Sequence, residues 1–221
     1  MSRPSTAHYD AVVFDLLTAL IDSWTLWNAV AGSEVDGVRW RKRYLEITYS
    51  CGAYRPYGTL VREAAIEAQL QPELADELER RWGELAPWPE TAEVLAELGR
   101  DVSLAVATNC SERLGRVAVN RTGARYSVVV TAESVGFYKP RPEVYRAVLA
   151  ELGTDPRRTL FVAGSASDVP GAKALGMPVY WHNRIGLPPR GDAHPDFLER
   201  TLSPLTLLVR AGGKDNEGGT L

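Results

Sequence analysis

The sequence predicts an α/β protein: a doubly wound parallel sheet with an all-helical cap inserted after strand one. Three observations carry this. An apolar run, Ala11-Val12-Val13-Phe14, reads as a fully buried strand and ends on a carboxylate, Asp15. From Trp24 to about Pro87 no strand pattern appears, and apolar residues recur at helical spacing instead. After Pro87-Trp88-Pro89 short apolar runs alternate strictly with amphipathic stretches, the signature of repeated strand–loop–helix units.

Taken in order, strand one is expected over 10–16. Helices follow at about 24–31, 35–51, 57–69 and 72–85, with Gly52 and Pro56 breaking the run between the second and third. The core resumes with a helix over 90–99 and a strand over 102–107. A helix over 111–121, a strand over 127–131, a helix over 142–152 and a strand over 159–163 continue the alternation. A helix over 168–175 and a strand over 178–181 complete it, with a short strand and helix expected between Phe197 and Arg210. The core is thus assigned to 9–22 and 88–210, the cap to 23–87, and the polar, Gly-rich 211–221 to a disordered tail.

Composition narrows the function classes. The chain has 221 residues, 45% of them hydrophobic, enough for a proper core. Net charge is −3 and no Lys/Arg run stands out, which argues against nucleic acid or an anionic membrane as partner. Two Cys and three scattered His form neither a disulfide framework nor a metal motif. The N-terminus lacks an apolar signal region, so a cytoplasmic protein is expected. The aromatic-rich cap (Trp24, Trp27, Trp40) predicts either a homodimer through the cap or aromatics that pack the cap itself.

In a parallel sheet of this type, ligands bind at the carboxyl edge of the strands. Four strand ends bring functional groups there. They are Asp15, the Thr108-Asn109-Cys110-Ser111 stretch, Lys139, and Ser165 with Asp168. Singly, each has a structural explanation: a helix cap, a solvated loop lysine, an acid on a helix dipole. Together a carboxylate, a cation and hydrogen-bond donors converge, as nucleophilic catalysis requires. The helical insert would cover that edge as a lid and exclude water.

The pattern F-D-x(4)-L-x-D, strand-TN-x-S, YKPxPxVY and FVxxSxxDxxGA resembles the haloacid dehalogenase superfamily, in order and spacing, over nearly the whole chain. Within it, Trp40-Arg41 in the cap and Trp181-His182-Asn183-Arg184-x-Gly186 after the last core strand are similar to the 2-haloacid dehalogenase branch. The resemblance implies a Rossmann-like core, no cofactor, no metal, and a small-molecule substrate. It implies Asp15 as aspartyl nucleophile, Lys139 holding it ionised, and Asp168 with Ser165 positioning the hydrolytic water. Arg41 and Asn109, with Thr108 nearby, would cradle the leaving halide. Leu17, Leu45, Tyr57 and Tyr145 would line the substrate pocket.

Departures from the pattern matter as much. The superfamily's phosphatases place an acid two residues after the nucleophile, where this chain has Leu17, which cannot transfer a proton. They place an acidic Mg²⁺ ligand where this chain has Gly164. Asp15 and Asp168 alone make a poor site for a cation that wants several hard oxygens. The branch's Gly-Thr after the nucleophile reads Thr18-Ala19, so a hydroxyl four residues after Asp15 is absent, and Thr18 is expected to point elsewhere. The branch's Ser-Ser-Asn reads Ala163-Gly164-Ser165, and the aromatic before the last acid is Ser167. The expectation is a metal-independent hydrolase of a 2-substituted acid, most directly a 2-haloacid. Another small substrate (a strained-ring acid or a phosphate ester) and a catalytically weak binding protein stay open.

Overall fold

The computed structural model describes residues 8–192 and 194–211. β1 (Ala11–Phe14) is followed by a two-residue strand, β2 (Ile21–Asp22). Four helices come next: α1 (Ser23–Ala31), α2 (Glu34–Cys51), α3 (Tyr57–Glu67) and α4 (Leu74–Arg80). β3 (Ala86–Pro87) then returns the chain to α5 (Thr91–Leu98) and β4 (Ser103–Thr108). α6 (Glu112–Arg121), β5 (Val128–Thr131), the single turn α7 (Ala132–Val135) and α8 (Pro142–Leu152) follow. β6 (Thr159–Ala163), α9 (Asp168–Lys173), β7 (Val179–His182), β8 (Phe197–Glu199) and α10 (Pro204–Ala211) complete the chain.

The main sheet has the order β5-β4-β1-β6-β7-β8, all parallel. β1 lies in the middle because it is apolar throughout and buried at every position. Phe14 is level with Val106 of β4 and Val162 of β6. The chain builds outward from β1 through β4 and β5, then crosses to build the other side from β6. The strand order therefore reverses at β1, and the crevice beyond its carboxyl end is the natural ligand site.

The expected elements form; the single turn α7 was not expected, and three further differences stand out. β1 is shorter than 10–16: Leu16 and Leu17 have left the strand and begin a tight loop. The expected helix over 72–85 divides into α4 and a 3-10 turn, Trp82–Glu84, because the Trp82 indole N–H donates to Leu114 O at 2.9 Å and docks this end on α6. The antiparallel β2–β3 pair was not expected. It joins the two crossings between sheet and cap, Ile21 to Pro87 and Asp22 to Ala86, and is too short to leave a period-2 pattern. Of the expected tail, 212–221 lies outside the described residues.

The cap helices are set by their ends and one close crossing. Asp22 and Ser33 cap α1 and α2 by accepting from Thr25 N–H and Asp36 N–H. α1 and α2 approach so closely at Gly37 that an added Cβ would lie 2.3 Å from Asn28 Oδ1. Trp27 and Trp40 stack at 4.5 Å, and Trp40 Nε1 donates to Val61 O on α3 at 2.9 Å. Trp24, Trp27 and Trp40 are all buried within the chain. The aromatics that suggested a cap-mediated dimer are thus covered by the chain itself, Trp27 and Trp40 in one apolar cluster with Phe14 and Leu16 of the core. No helix among the described residues is long and apolar enough to cross a membrane.

Candidate active site

Asp15 is the first residue past β1. Its N–H still donates to Val162 O at 2.9 Å, so the sheet ladder fixes the root of the carboxylate. The following loop is tied down carbonyl by carbonyl. Leu16 O accepts from the N–H groups of Leu20 and Ile21 at 3.2 and 3.1 Å. Leu17 O accepts from Ser23 Oγ, and Thr18 O from Trp88 Nε1 at 3.1 Å. Ala19 O accepts from His182 Nδ1 at 2.8 Å, and Leu20 O from Thr91 Oγ1 at 3.0 Å. Burial lowers the His182 pKa, which suits a neutral ring donating through Nδ1. The loop so held turns Thr18 inward. Its hydroxyl donates to Asp15 Oδ2 at 2.6 Å and its N–H approaches the same oxygen at 3.3 Å. The expectation that Thr18 points elsewhere is therefore overturned: a hydroxyl reaches the carboxylate from position 18 instead of 19.

Lys139 is fully buried and stands between two acids. Its Nζ donates to Asp15 Oδ1 at 2.8 Å and lies 3.3 Å from Asp168 Oδ1. Burial alone would raise the Asp15 pKa, but the Lys139 charge and hydrogen bonds from Lys139 and Thr18 hold it below the ordinary carboxylate value. Asp168 goes the other way. Burial, with the Asp15 charge added, outweighs Lys139 and pushes it up to about 7. Burial pulls Lys139 down, yet its two carboxylates keep it above the ordinary amine value. One ionised acid beside one acid poised near neutrality is the pattern of divided catalytic labour.

Several expected site residues take more specific places. Asn109 brackets the backbone of Lys139: Oδ1 accepts from Lys139 N–H at 2.6 Å, and Nδ2 donates to Lys139 O at 3.1 Å. Its amide thus also positions the lysine, and one Nδ2 hydrogen stays uncommitted. The Tyr145 hydroxyl donates to Asp168 O at 3.3 Å and its ring packs on Phe161, so it braces the acid and is a support residue more than pocket lining. Ser165 is buried, its Oγ accepting from Ser167 N–H at 3.3 Å. Thr108 is buried with no partner for its hydroxyl, and Leu17 is buried beside Asp15.

Arg41 enters from α2. It is 1% exposed, and neither Nε nor Nη1 has a hydrogen-bond partner. Its guanidinium carbon lies 5.4, 5.0 and 5.9 Å from the ring centres of Trp24, Trp27 and Tyr44. Ring faces offset part of the desolvation, about 2 kcal/mol for a buried pair. They do not supply the hydrogen bonds a buried charge needs. Tyr57 is buried next to Tyr44 and its hydroxyl is also without a partner. An unpartnered buried cation with an unpartnered donor nearby is a place for an anion. A cleft of about 410 Å³ lies between cap and core, lined in part by Leu45, Tyr49 and Ser165, with neither Arg41 nor Asp15 in its wall.

The family profile for haloacid dehalogenase-like hydrolases matches residues 9–176. The chain belongs to the haloacid dehalogenase-like hydrolase family. Among curated relatives, the (S)-2-haloacid dehalogenase of Xanthobacter autotrophicus is 28% identical over 216 residues, covering 90% of this chain and 83% of that protein. A phosphoserine phosphatase of Thermus thermophilus is 34% identical over 146 residues, covering 62% of this chain and 58% of that protein. Among solved structures, the L-2-haloacid dehalogenase of Xanthobacter autotrophicus with chloropropionic acid covalently bound superposes with a TM-score of 0.80. It is 26% identical and covers 91% of this chain and 98% of that one.

Membership of a haloacid dehalogenase-like family raises the question of Mg²⁺, and the residues here do not fit it. The cation between Asp15 and Asp168 is Lys139. At Gly164, where a third carboxylate would be needed, an added Cβ would lie 2.0 Å from Thr18 Oγ1 and 2.4 Å from Ala19 N. Among the described residues no group of three His, Cys, Asp or Glu could hold a metal. No step is therefore routed through a metal.

Two site residues escaped the sequence reading. Tyr49 brings its phenol end to Asp168 and Ser165; burial, then the charges of Asp168 and Asp15, raise its pKa well above the ordinary value. It falls four residues after Leu45 and eight after Arg41, on one face of α2, so helical spacing held the signal. Trp88, which anchors Thr18 O, read only as part of a Pro-Trp-Pro break, and nothing in the sequence links it to position 18.

Proposed function

We propose that this protein is a metal-independent hydrolase of small 2-substituted carboxylic acids, and that it dehalogenates 2-haloacids through an ester on Asp15. The observation that carries this reading is the pair formed by Asp15 and Arg41. One is a buried, ionised carboxylate held by Lys139, and the other a buried guanidinium whose Nε and Nη1 have no hydrogen-bond partner among the described residues. Asp15 attacks C2, the carbon–halogen bond breaks with its electron pair on the halide, and Arg41 receives the developing anion. Asp168, near neutrality, takes a proton from water as the water attacks the Asp15 ester carbon. Ser165 and Tyr49 help orient that water. The proton passes to the departing 2-hydroxy acid, and Asp15 is regenerated. Leu17, Leu45 and Tyr57 keep the reacting carboxylate poorly hydrated, and Asn109 and Tyr145 hold Lys139 and Asp168 in register.

The named activity of the Xanthobacter relatives supports the same reading. A phosphate-ester substrate has the 34% identical phosphatase stretch on its side. Against it, Leu17 offers no acid and Gly164 has no room for a metal ligand. A cytoplasmic setting goes with this reading, supported by Cys51 and Cys110 both being free thiols. A homodimer would need a surface other than the buried cap aromatics.

The test is halide release from L- and D-2-chloropropionate with EDTA present. Turnover that survives chelation and disappears in Asp15→Asn is the expected result. Phosphate release from a generic ester that requires Mg²⁺ would replace this reading with the phosphatase one. Silence in both assays from folded protein would leave a binding role.

A further inference from the structure

Two donors from one residue, the Thr18 hydroxyl at 2.6 Å and the Thr18 N–H at 3.3 Å, converge on Asp15 Oδ2, whereas Oδ1 meets only Lys139 Nζ. Such convergence helps hold the resting carboxylate ionised, and it has a second use. It is what an oxygen needs when it is about to carry a full negative charge. The donors are also fixed in advance. Leu16 O closes the loop on Leu20 and Ile21, and carbonyls 17 to 20 are each taken by a partner beyond the loop, Trp88 on Thr18 itself and His182 on its neighbour. The space Thr18 fills is bought at one position: a Cβ on Gly164 would fall 2.0 Å from Thr18 Oγ1 and 2.6 Å from Thr18 C.

We infer that Thr18, through its hydroxyl and N–H, is the oxyanion hole for hydrolysis of the Asp15 ester, and that Gly164 is glycine to make room for it. The inference rests on the ester reading above. Oδ1 attacks C2 and becomes the ester oxygen; Oδ2 becomes the ester carbonyl. Water adds to Cγ, the carbonyl π electrons move onto Oδ2, and Thr18 binds that charge while Asp168 takes the water proton. The electrons return, the Cγ–Oδ1 bond breaks, the hydroxy acid leaves with that proton, and Asp15, left as the acid, releases the second water proton to solvent. The first half of the reaction places no new charge on Oδ2, so Thr18 acts chiefly in the second half.

The experiment follows halide release by rapid quench and the ester by intact-protein mass, with 2-chloropropionate as probe. Thr18→Val keeps the shape and the N–H but loses the hydroxyl. It should release about one equivalent of halide, accumulate esterified protein, and turn over about 10²-fold more slowly. Thr18→Ser should restore turnover without accumulation. Gly164→Ala, which displaces Thr18 without altering it, should reproduce the stall. Thr18→Val turning over like the wild type, or slow without accumulating ester, would overturn the assignment. So would Thr18→Ser stalling like the valine variant, and Gly164→Ala at full rate would overturn the steric coupling. A wild type that releases no halide and carries no ester would instead remove the ester reading itself, and this role with it.

Discussion

Arg41 is a full positive charge among three aromatic rings, with Nε and Nη1 unpartnered. Burying an unpaired charge costs several kcal/mol, about the size of a typical effect of breaking a buried pair. The free protein therefore stores destabilisation that an anion relieves. Arg41→Met should lower kcat/KM for 2-chloropropionate by about 10²-fold or more, while the melting temperature holds or rises. Asp168 gives a second expectation. Its value of about 7 in the free protein includes the Asp15 charge, which ester formation removes, so kcat should fall on an acid limb below pH 7, absent from any residual rate of Asp168→Asn. The stability sign follows. Because the folded value lies above the ordinary aspartate value of 3.8, the folded state binds the extra proton between them. That contribution is present below about 3.8 and is lost as pH rises through about 7. At this scale Asp15 was legible because a charge at the end of an apolar run is conspicuous, whereas Arg41, inside a helix, was singled out only by the family resemblance. Thr18 was not legible, since a hydroxyl displaced by one position reads as missing until the loop that aims it is seen.

Helices α1 to α3 are held by aromatic side chains that span them. Trp40 stacks on Trp27 of α1 and donates to Val61 O of α3. Trp40→Ala should cost about 3–5 kcal/mol in urea unfolding. It should also weaken activity, because Arg41 is its neighbour on α2. The helical insert was legible because its apolar residues keep a 3.6-residue period over several turns. Its hinge was not. The β2–β3 pair has two residues a side, and its pairing joins positions 66 apart in sequence, Ile21 with Pro87, that carry no shared local signal. The division of α4 from its 3-10 turn depends on one indole hydrogen bond to α6, which is likewise a tertiary event.

For the molecule as a whole, the order of the sheet explains why one chain can assemble this site. β1 is flanked by β4 and β6, so the loops after all three strands open on one crevice. Asp15, Asn109 and Ser165 arrive there from those loops, Lys139 from the connection after β5, and Arg41 from the cap above. Strict strand–helix alternation made this topology readable, whereas the closeness of Gly164 to Thr18 depends on packing between two loops and leaves no pattern along the chain. The central claim is that water attacks the Asp15 carboxyl carbon and not the substrate. A single turnover of 2-chloropropionate in ¹⁸O-labelled water, with enzyme in excess, tests it most directly. The account predicts unlabelled lactate and one labelled oxygen in the peptide that contains Asp15. Label appearing at once in lactate, with Asp15 unlabelled, would contradict it.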